Sequence, residues 1–198
     1  MKFIDQLKEK AKQNKKTIVL PETSDMRTIE AAGKVLAEGI ANIILVGDKE
    51  DIMSRAGDID LSGASFVDPK NYEKFDEYVD AFVEMRRKKG MTEARAKELL
   101  LTNPLYFGCM MVKQDDADGM VAGAINASAD VLRAALQTLK TAPGTRIVSA
   151  FFLVVVPDCQ YGANGTFVFA DAGLNQSPSA SELADIAEQS AKSFELLV

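Results

Sequence analysis

The spacing of apolar residues changes several times along the chain, and these changes predict the order of helices and strands. Apolar residues at helical spacing open the chain and predict a short amphipathic helix: Phe3, Ile4, Leu7 and Ala11. A β-branched run over residues 17–20 (TIVL) then ends at Pro21 and predicts a buried strand. The chain therefore begins with a helix that leads into a short strand.

The next elements repeat this alternation. A helical pattern covers residues 26–38 and stops at Gly39. The candidate N-caps of this helix are Thr23, Ser24 and Asp25. Residues 42–46 (NIILV) predict a second strand, and Asp48 opens a third helix. A strand, a capped helix and a second strand in this order are typical of a parallel sheet.

The remainder of the chain also mixes helices and strands. Residues 71–112 predict mostly helix with dense charge, and residues 118–122 predict a strand that ends at Gly123. The elements predicted beyond it are a helix over 129–140, strands over 147–156 and 166–170, and a helix from Ser179 to the C-terminus. The pattern contains no internal repeat and no low-complexity tract.

The Pro143-Gly144 pair is the best candidate for a domain boundary. We predict an α/β protein in which residues 1–143 form a three-layer α/β/α sandwich with a mostly parallel sheet. Residues 144–198 are then the start of a second α/β domain. About 50 residues are too few for a doubly wound domain of ordinary size, so we expect this second domain to be truncated.

Composition narrows the class of protein. The 198 residues include 23 basic and 29 acidic ones, and the net charge of −6 argues against nucleic acid or an anionic membrane as the default partner. The longest strongly apolar run, residues 150–156, is far too short to span a bilayer. The charged N-terminus lacks the apolar stretch of a signal peptide. We therefore expect a soluble, cytoplasmic protein.

The residue inventory excludes several chemistries. The chain has no His, so it has neither a Ser-His-Asp triad nor a Cys-His pair nor a His-ligated metal. Its two cysteines, Cys109 and Cys159, are too far apart in sequence for a CxxC motif. Free thiols in a reducing cytoplasm fit this count, although a single disulfide remains possible. We expect no metal site.

The segment GAINASADVLR follows a predicted strand and enters a helix. Gly123 ends the strand, Asn126 and Ser128 are candidate caps, and Arg133 lies in the helix. Exposed N–H groups at a helix start, a hydroxyl and a guanidinium together suit a phosphate. The alternative is an ordinary N-cap followed by a surface arginine.

Two further segments carry polar residues at positions that favour ligand binding. The segment LPETSDMR, residues 20–27, lies beyond the carboxyl end of the first strand, where open parallel sheets bind ligands. On pattern alone, a capping loop with a solvated Asp-Arg pair is favoured over a ligand site. The cluster Arg86-Arg87-Lys88-Lys89 is either a solvated helix end or a site for the phosphates of a nucleotide-containing ligand.

Cys159 follows the most apolar predicted strand in the sequence Pro157-Asp158-Cys159. A nucleophilic cysteine needs a lowered pKa, which a nearby cation or a helix N-terminus supplies. No cation is adjacent in sequence, so a thiol that lines a site or the core is favoured over a nucleophile. Cys109, in FGCMMV, is predicted to be helix core.

Five stretches resemble the phosphate acetyltransferase (phosphotransacetylase) family. They are TIVLPETSDMRTIEAA, ILVGD, DGMVAGAINASADVLRAALQTLKT, VSAFFLVVVPDCQYG and TFVFADAGLNQSPSASELADIA. They follow one another across almost the whole chain, so the resemblance is more specific than any single motif. Phosphate butyryltransferases are among the broader relatives.

This resemblance implies reversible transfer of an acetyl group between coenzyme A and inorganic phosphate. It implies no cofactor other than coenzyme A as a substrate, no metal, and a homodimer. The implied fold is a pair of α/β/α domains similar to isocitrate and isopropylmalate dehydrogenases, with the active site between the domains. Arg133 and Ser128 are then the implied catalytic residues of this chain, because they clamp the phosphate and stabilise charge in the transition state.

The resemblance also implies which residues bind substrate. Besides Arg133 and Ser128, the implied substrate-binding residues are Arg86, Arg87, Asn126 and Cys159. Two departures from the family pattern stand out. Ala134 replaces the usual Pro after the motif arginine, and the chain lacks the C-terminal region in which the family carries a Ser-Arg-Gly segment and the Asp proposed as base. We therefore expect the 198-residue chain to be inactive alone.

Other function classes remain open on the sequence. A non-catalytic fragment that binds a partner is one, and an acyltransferase that prefers butyryl groups is another. A nucleotide-dependent dehydrogenase on the same type of fold is disfavoured because the chain has neither a GxGxxG motif nor a histidine.

Overall fold

A computed structural model describes residues 3–198 and divides the chain into two units. The larger unit comprises Lys8–Lys140. The smaller one comprises Thr141–Val198 with the start of helix α1 (Phe3–Gln13), through Leu7. These units are groups of residues that lie close together, and closeness alone does not show that each group folds independently. The separate domains predicted over residues 1–143 and 144–198 therefore stay a prediction.

A parallel sheet forms the centre of the larger unit. Its strands are β1 (Thr17–Leu20), β2 (Asn42–Val46), β3 (Ser65–Val67) and β4 (Gly119–Met120). Their order is β3-β2-β1-β4, and every neighbouring pair is parallel. From β1, the chain adds β2 and β3 on one side and later adds β4 on the other side. The carboxyl ends of β1 and β4 therefore border the crevice in which open α/β sheets bind ligands.

Helices cover both faces of this sheet. They are α2 (Met26–Glu38), α3 (Lys49–Ala56), α4 (Phe75–Arg86), α5 (Glu93–Thr102), α6 (Pro104–Lys113) and α7 (Ser128–Thr138), with a 3-10 turn at Arg87–Lys89. Successive strand residues face opposite sides. Leu20 packs with Ile29 and Ile52 of α2 and α3, whereas Val19 packs with Phe107 and other residues of α4 to α7. The predicted three-layer α/β/α arrangement is confirmed.

Side-chain caps fix the starts of most helices in the larger unit. Among the three candidate caps of α2, Asp25 is the one that accepts a hydrogen bond from the Arg27 backbone N–H, at 2.8 Å. Asp48 caps α3 as predicted, through the Asp51 backbone N–H at 2.8 Å. A capping side chain satisfies a backbone donor that the first helical turn leaves unpaired.

The smaller unit combines a β-hairpin with one long helix. Strands β5 (Phe151–Val155) and β6 (Thr166–Ala170) pair antiparallel, which the sequence did not predict. Helix α8 (Ala180–Leu197) begins after Ser179, as predicted, and its start is a capping box with Glu182. Among residues 3–198, no helix combines the length and apolar character needed to cross a bilayer.

Two predicted strands are shorter in the structure. The strand predicted over residues 147–156 is limited to β5, because β6 ends at Ala170 and the next residues turn away. The carbonyl of Val148 instead accepts a hydrogen bond from the Asn175 side chain at 2.9 Å. The strand predicted over 118–122 is limited to β4, since Gly123 has a φ of 109° and diverts the chain.

Two adjacent leucines of α5 test the packing of this helix against the core. Leu100 is fully buried, whereas Leu101 is 43% exposed. We expect Leu100→Ala to lower the free energy of unfolding by about 2–5 kcal/mol, because it leaves a cavity in a packed core. Leu101→Ala is the matched control, with an expected loss below about 1 kcal/mol. Urea unfolding followed by circular dichroism measures both, and similar losses would contradict this orientation of α5.

Candidate functional site

Four basic side chains line one pocket of the larger unit, with a volume of about 360 Å³. They are Arg86, Lys89, Arg95 and Arg133. All charged residues in the lining are basic, although the whole chain carries a net charge of −6. Several cations around one small volume create a strongly positive potential. We call this group of residues the basic pocket, and its charge suits an anion with several negative oxygens.

Three helices and the short turn after α4 bring these cations together. Arg86 is the last residue of α4, and Lys89 ends the short turn that follows it. Gly90 has a φ of 76°, a conformation that glycine adopts without strain, and it redirects the chain towards α5, where Arg95 lies in the first turn. Arg133 is in the second turn of α7. The basic pocket therefore depends on how α7 lies beside α4 and α5.

Tyr106 of α6 lines the same pocket and is 7% exposed. Its ring contacts that of Phe82, with 5.7 Å between the centroids. Burial raises the pKa of the Tyr106 hydroxyl, and the positive charges of Arg133 and Arg86 act in the opposite direction. The pocket therefore combines a neutral hydroxyl with cations.

The guanidinium groups of Arg86 and Arg133 have different surroundings. The Nε of Arg86 is buried and makes no hydrogen bond to any described residue. Arg133 is more exposed and pairs with Asp130 of its own helix, at 2.6 Å between Nη1 and Oδ1. A buried donor without a partner costs about 1–3 kcal/mol. Arg86 is thus a lining residue whose guanidinium is only partly paired, which makes it a candidate to bind an anion in the pocket.

Arg86 and Arg133 are the two sequence-predicted residues that the structure brings together. Arg87 is not among the lining residues: its side chain is mostly exposed and forms an ion pair with Glu84. Lys89 and Arg95 complete the pocket. Sequence analysis placed Lys89 in a charge cluster and did not single out Arg95 at all, because the approach of α5 to α7 is a tertiary contact.

A second polar site lies at the carboxyl ends of β1 and β4. Glu22 is 2% exposed, and its carboxylate accepts hydrogen bonds from four successive backbone N–H groups. Oε2 accepts from Gly123 (2.5 Å) and Ala124 (2.7 Å), and Oε1 accepts from Ile125 (3.1 Å), from Asn126 (2.8 Å) and from the Asn126 Nδ2 (2.7 Å). Successive N–H groups that converge in this way form an anion-binding nest. We call this contact the Glu22 clamp.

The electrostatics of the Glu22 clamp favour an ionised carboxylate. Burial raises the pKa of Glu22, but the hydrogen bonds from Asn126, Ala124 and Ile125 outweigh it and lower the pKa to about 2. Arg27 also holds the loop that contains Ala124, since its Nη2 donates a hydrogen bond to the Ala124 carbonyl at 2.5 Å. The loop over residues 123–126 is therefore held through its N–H groups and through one carbonyl.

The Glu22 clamp corrects the expectation for the GAINASAD turn. Neither Asn126 nor Ser128 caps α7: the N-cap is Ala127, without a side-chain hydrogen bond, and the Asn126 amide donates to Glu22 instead. The turn does bind an anion, but the anion belongs to the protein. Binding of substrate by Asn126 and Ser128 stays a prediction.

Glu22 is the residue that sequence analysis missed in the LPETSDMR segment. Asp25 and Arg27 do form the expected cap and ion pair, with 2.7 Å between Arg27 Nη2 and Asp25 Oδ2. The available signal was an acidic residue placed directly after a buried strand and a proline, ahead of the capping residues. Its partners lie about 100 positions later, so local pattern alone does not identify them.

The two cysteines occupy different environments. Cys109 is fully buried in α6, which confirms its assignment to the helix core, and burial raises the pKa of its thiol to about 11. Cys159 belongs to the smaller unit, follows β5, is half-buried, and like Cys109 has a free thiol. Its role in substrate binding stays a prediction. Within residues 3–198, no three acidic or cysteine side chains are grouped as metal ligands.

Comparison with known proteins gives consistent matches. The family model described as "Phosphate acetyl/butaryl transferase" matches residues 2–198. The phosphate acetyltransferases of Acetivibrio thermocellus and Thermoanaerobacterium thermosaccharolyticum are 53% and 52% identical over 198 residues, which is 100% of this chain and 59% and 60% of theirs. The chain thus spans about three fifths of the length of these relatives.

Solved structures show the same similarity. The EutD phosphotransacetylase from Staphylococcus aureus matches with a TM-score of 0.87 and 36% identity, over 98% of this chain and 57% of that chain. A phosphotransacetylase from Streptococcus pyogenes matches with a TM-score of 0.88 and 35% identity, over 98% of this chain and 58% of that chain.

The Glu22 clamp predicts a specific dependence of stability on pH. The pKa of Glu22 falls from an ordinary value of 4.5 to about 2 on folding, so its contribution is complete above pH 4.5 and is lost as the pH falls towards 2. We expect Glu22→Gln to lower the free energy of unfolding by on the order of 3 kcal/mol at pH 7. At pH 2 the two proteins are expected to differ little.

Urea titrations of both proteins between pH 7 and pH 2 measure this gap. Because all other carboxylates are shared, their contributions cancel in the difference. A gap that stays constant down to pH 2 would contradict the assignment of a lowered pKa to Glu22.

Proposed function

The chain belongs to the phosphate acetyl/butaryl transferase family, and from this premise we propose that its protein reversibly transfers an acetyl group between coenzyme A and inorganic phosphate. Besides membership of the family, the observation that supports this proposal is the basic pocket. Inorganic phosphate, acetyl phosphate and coenzyme A all carry phosphoryl oxygens, and Arg86 and Arg133 offer donors of matching charge.

The transfer requires binding, charge stabilisation and movement of one proton. In the direction of acetyl-coenzyme A, the thiol sulfur attacks the acetyl carbonyl carbon, the bond from that carbon to the phosphate oxygen breaks, and phosphate leaves with the electron pair. We propose that Arg133 stabilises the negative charge that develops on the departing phosphate, with Ser128 as a second contact. The guanidinium has a planar, two-pronged donor geometry that fits a phosphoryl group.

Arg86 is proposed to bind a phosphate of coenzyme A through its guanidinium, and Lys89 and Arg95 add positive charge around the same volume. We keep Arg87, Asn126 and Cys159 as proposed substrate-binding residues. The thiol proton goes to a base that the family resemblance assigns to a C-terminal Asp. We therefore expect the 198-residue chain to bind phosphate without turnover. A homodimer, a cytoplasmic location and activity without metal or prosthetic group complete the proposal.

A longer acyl group is the second candidate, because the matching family model covers acetyl and butyryl transferases together. The test is acyl-coenzyme A formation from coenzyme A and either acetyl phosphate or butyryl phosphate, followed by thioester absorbance. It compares the 198-residue chain with a chain of the length of its relatives. Absence of thioester formation by the longer protein with both substrates would overturn the proposal, and turnover by the 198 residues would contradict the assignment of the base.

Arg133 is the residue on which the proposal depends most. We expect Arg133→Ala to lower kcat/KM by the equivalent of about 2–4 kcal/mol of transition-state stabilisation. Arg133→Lys is also expected to be impaired, because it keeps the charge but loses the two-pronged geometry. Lys97→Ala removes an exposed α5 cation outside the pocket and serves as control. Kinetics of both Arg133 variants equal to those of the wild type would move the anion site elsewhere.

Cys159 is proposed to act by position and not as a nucleophile. We expect Cys159→Ala to retain most of its activity and to resist alkylating reagents that inhibit the wild type. Cys109 provides the internal control, since its fully buried thiol with a raised pKa is expected not to react. Complete loss of activity in Cys159→Ala, with a trapped acetyl thioester on the wild type, would instead support a covalent route.

A further inference from the structure

The Glu22 carboxylate is a buried group that the proposed reaction does not use. We propose that Glu22 is a positioning residue for Arg133: as a resident anion in the nest of residues 123–126, it fixes the start of α7 and thereby the place of Arg133 in the basic pocket. The inference rests on the proposed function only in that the basic pocket is taken as the site of the substrate phosphate that Arg133 contacts. The contacts that support it belong entirely to the larger unit.

The first step is that the Glu22 clamp immobilises the loop before α7. Its carboxylate holds four consecutive N–H groups, from Gly123 to Asn126, at 2.5–3.1 Å. The charged acceptor makes each of these bonds stronger than a neutral one. Arg27 fixes the same loop through the Ala124 carbonyl. Since Glu22 follows β1 directly and Arg27 lies in the first turn of α2, the loop is tied to the end of β1 and to the start of α2.

The second step is that no side chain caps the start of α7. Its N-cap is Ala127, which makes no side-chain hydrogen bond, whereas Asp25, Asp48 and Thr92 cap α2, α3 and α5 with their side chains. The loop leads directly into Ala127, so the clamped residues help to set the direction in which α7 starts. The Glu22 clamp thus holds the residues just before the N-cap and adds to the packing of α7 on the core.

The third step links the start of α7 to the basic pocket. Arg133 follows Ser128 by five residues, and the next residue, Ala134, is fully buried against the core. A shift or rotation of the first turn is therefore transmitted to Arg133 through a short, rigid stretch of helix. A displacement of about 1 Å in a group that must meet a substrate can cost a factor of about one hundred in rate.

The test measures binding of inorganic phosphate, a substrate of the proposed reaction, in a double-mutant cycle, with the full-length protein as the sample. We expect Glu22→Gln to raise the Kd for phosphate at least tenfold, because the amide nitrogen faces N–H donors and the charge is gone. In an Arg133→Ala background, the same substitution is expected to cause no further loss. A merely structural role would weaken binding equally in both backgrounds, and that result would overturn the proposal.

Two controls separate the clamp from general destabilisation. Amide hydrogen exchange in Glu22→Gln is expected to accelerate at residues 123–126 and to remain unchanged in β1. Asp60→Asn is the matched control, since Asp60 also accepts a backbone N–H, from Ser62 at 2.9 Å, but makes no contact with the loop. Unchanged exchange at residues 123–126 would overturn the clamp itself.

Chemical rescue keeps the proposal testable if the amide variant folds poorly. Glu22→Ala removes the methylene and carboxylate groups that acetate resembles, so acetate is expected to restore its phosphate affinity and its Tm relative to chloride at equal ionic strength. The wild type is expected to show no such gain. Failure of acetate to restore either quantity would contradict the proposal.

These readouts do not require turnover, so they distinguish this inference from the proposed function. If the wild-type protein binds phosphate but forms no acetyl-coenzyme A, the proposed reaction fails and the cycle still decides the role of Glu22. If the wild type does not bind phosphate, the basic pocket is not a phosphate site, and the positioning role is overturned together with that assignment.

Discussion

The bond between the Glu22 carboxylate and the backbone of residues 123–126 is the interaction on which the arrangement of the larger unit depends. It joins the ends of β1 and β4 at the place where the sheet reverses its chain direction. An ionised side chain that is 2% exposed is costly unless its lone pairs are satisfied, and here four N–H groups and one side-chain amide satisfy them. Because the clamped loop leads directly into α7, this contact helps to hold the helix that carries Arg133 of the basic pocket.

The charges of the larger unit have two separate uses. Acidic side chains hold the scaffold together: Asp116 accepts from Lys74, Tyr72 and Tyr78, and Asp118 accepts from the Thr17 backbone N–H at 2.8 Å. Basic side chains from α4, α5 and α7 collect around one pocket instead. A chain with a net charge of −6 therefore presents a cationic site, so the net charge of the chain does not predict the charge of the ligand.

The sequence predicted most of the fold because its signals are local. Residues 26–38 and 42–46 carry the apolar periods and caps that define them, and their boundaries agree with the structure. The lengths of β4 and β5 depend on where their strand partners end, which local pattern does not show, and both were overestimated. The sequence predicted part of the basic pocket. Arg86 and Arg133 lie in recognisable sequence motifs, whereas Arg95 reaches the pocket only because the helices pack together. The sequence did not predict the role of Glu22, because its hydrogen-bond partners are brought to it only by the tertiary structure.

Parallel pairing of β1 with β4 has a consequence for biosynthesis. Glu22 is separated from its hydrogen-bond donors by 101–104 positions, so more than half of the 198 residues must emerge from the ribosome before its carboxylate is satisfied. Until then β1 and β2 can pair, but the edge of β1 that later receives β4 stays open. Closing so long a loop is slow, and an unpaired edge is prone to wrong pairing. The nascent chain is therefore most vulnerable to misfolding, and most dependent on chaperones, in the interval between translation of β2 and of residues 123–126.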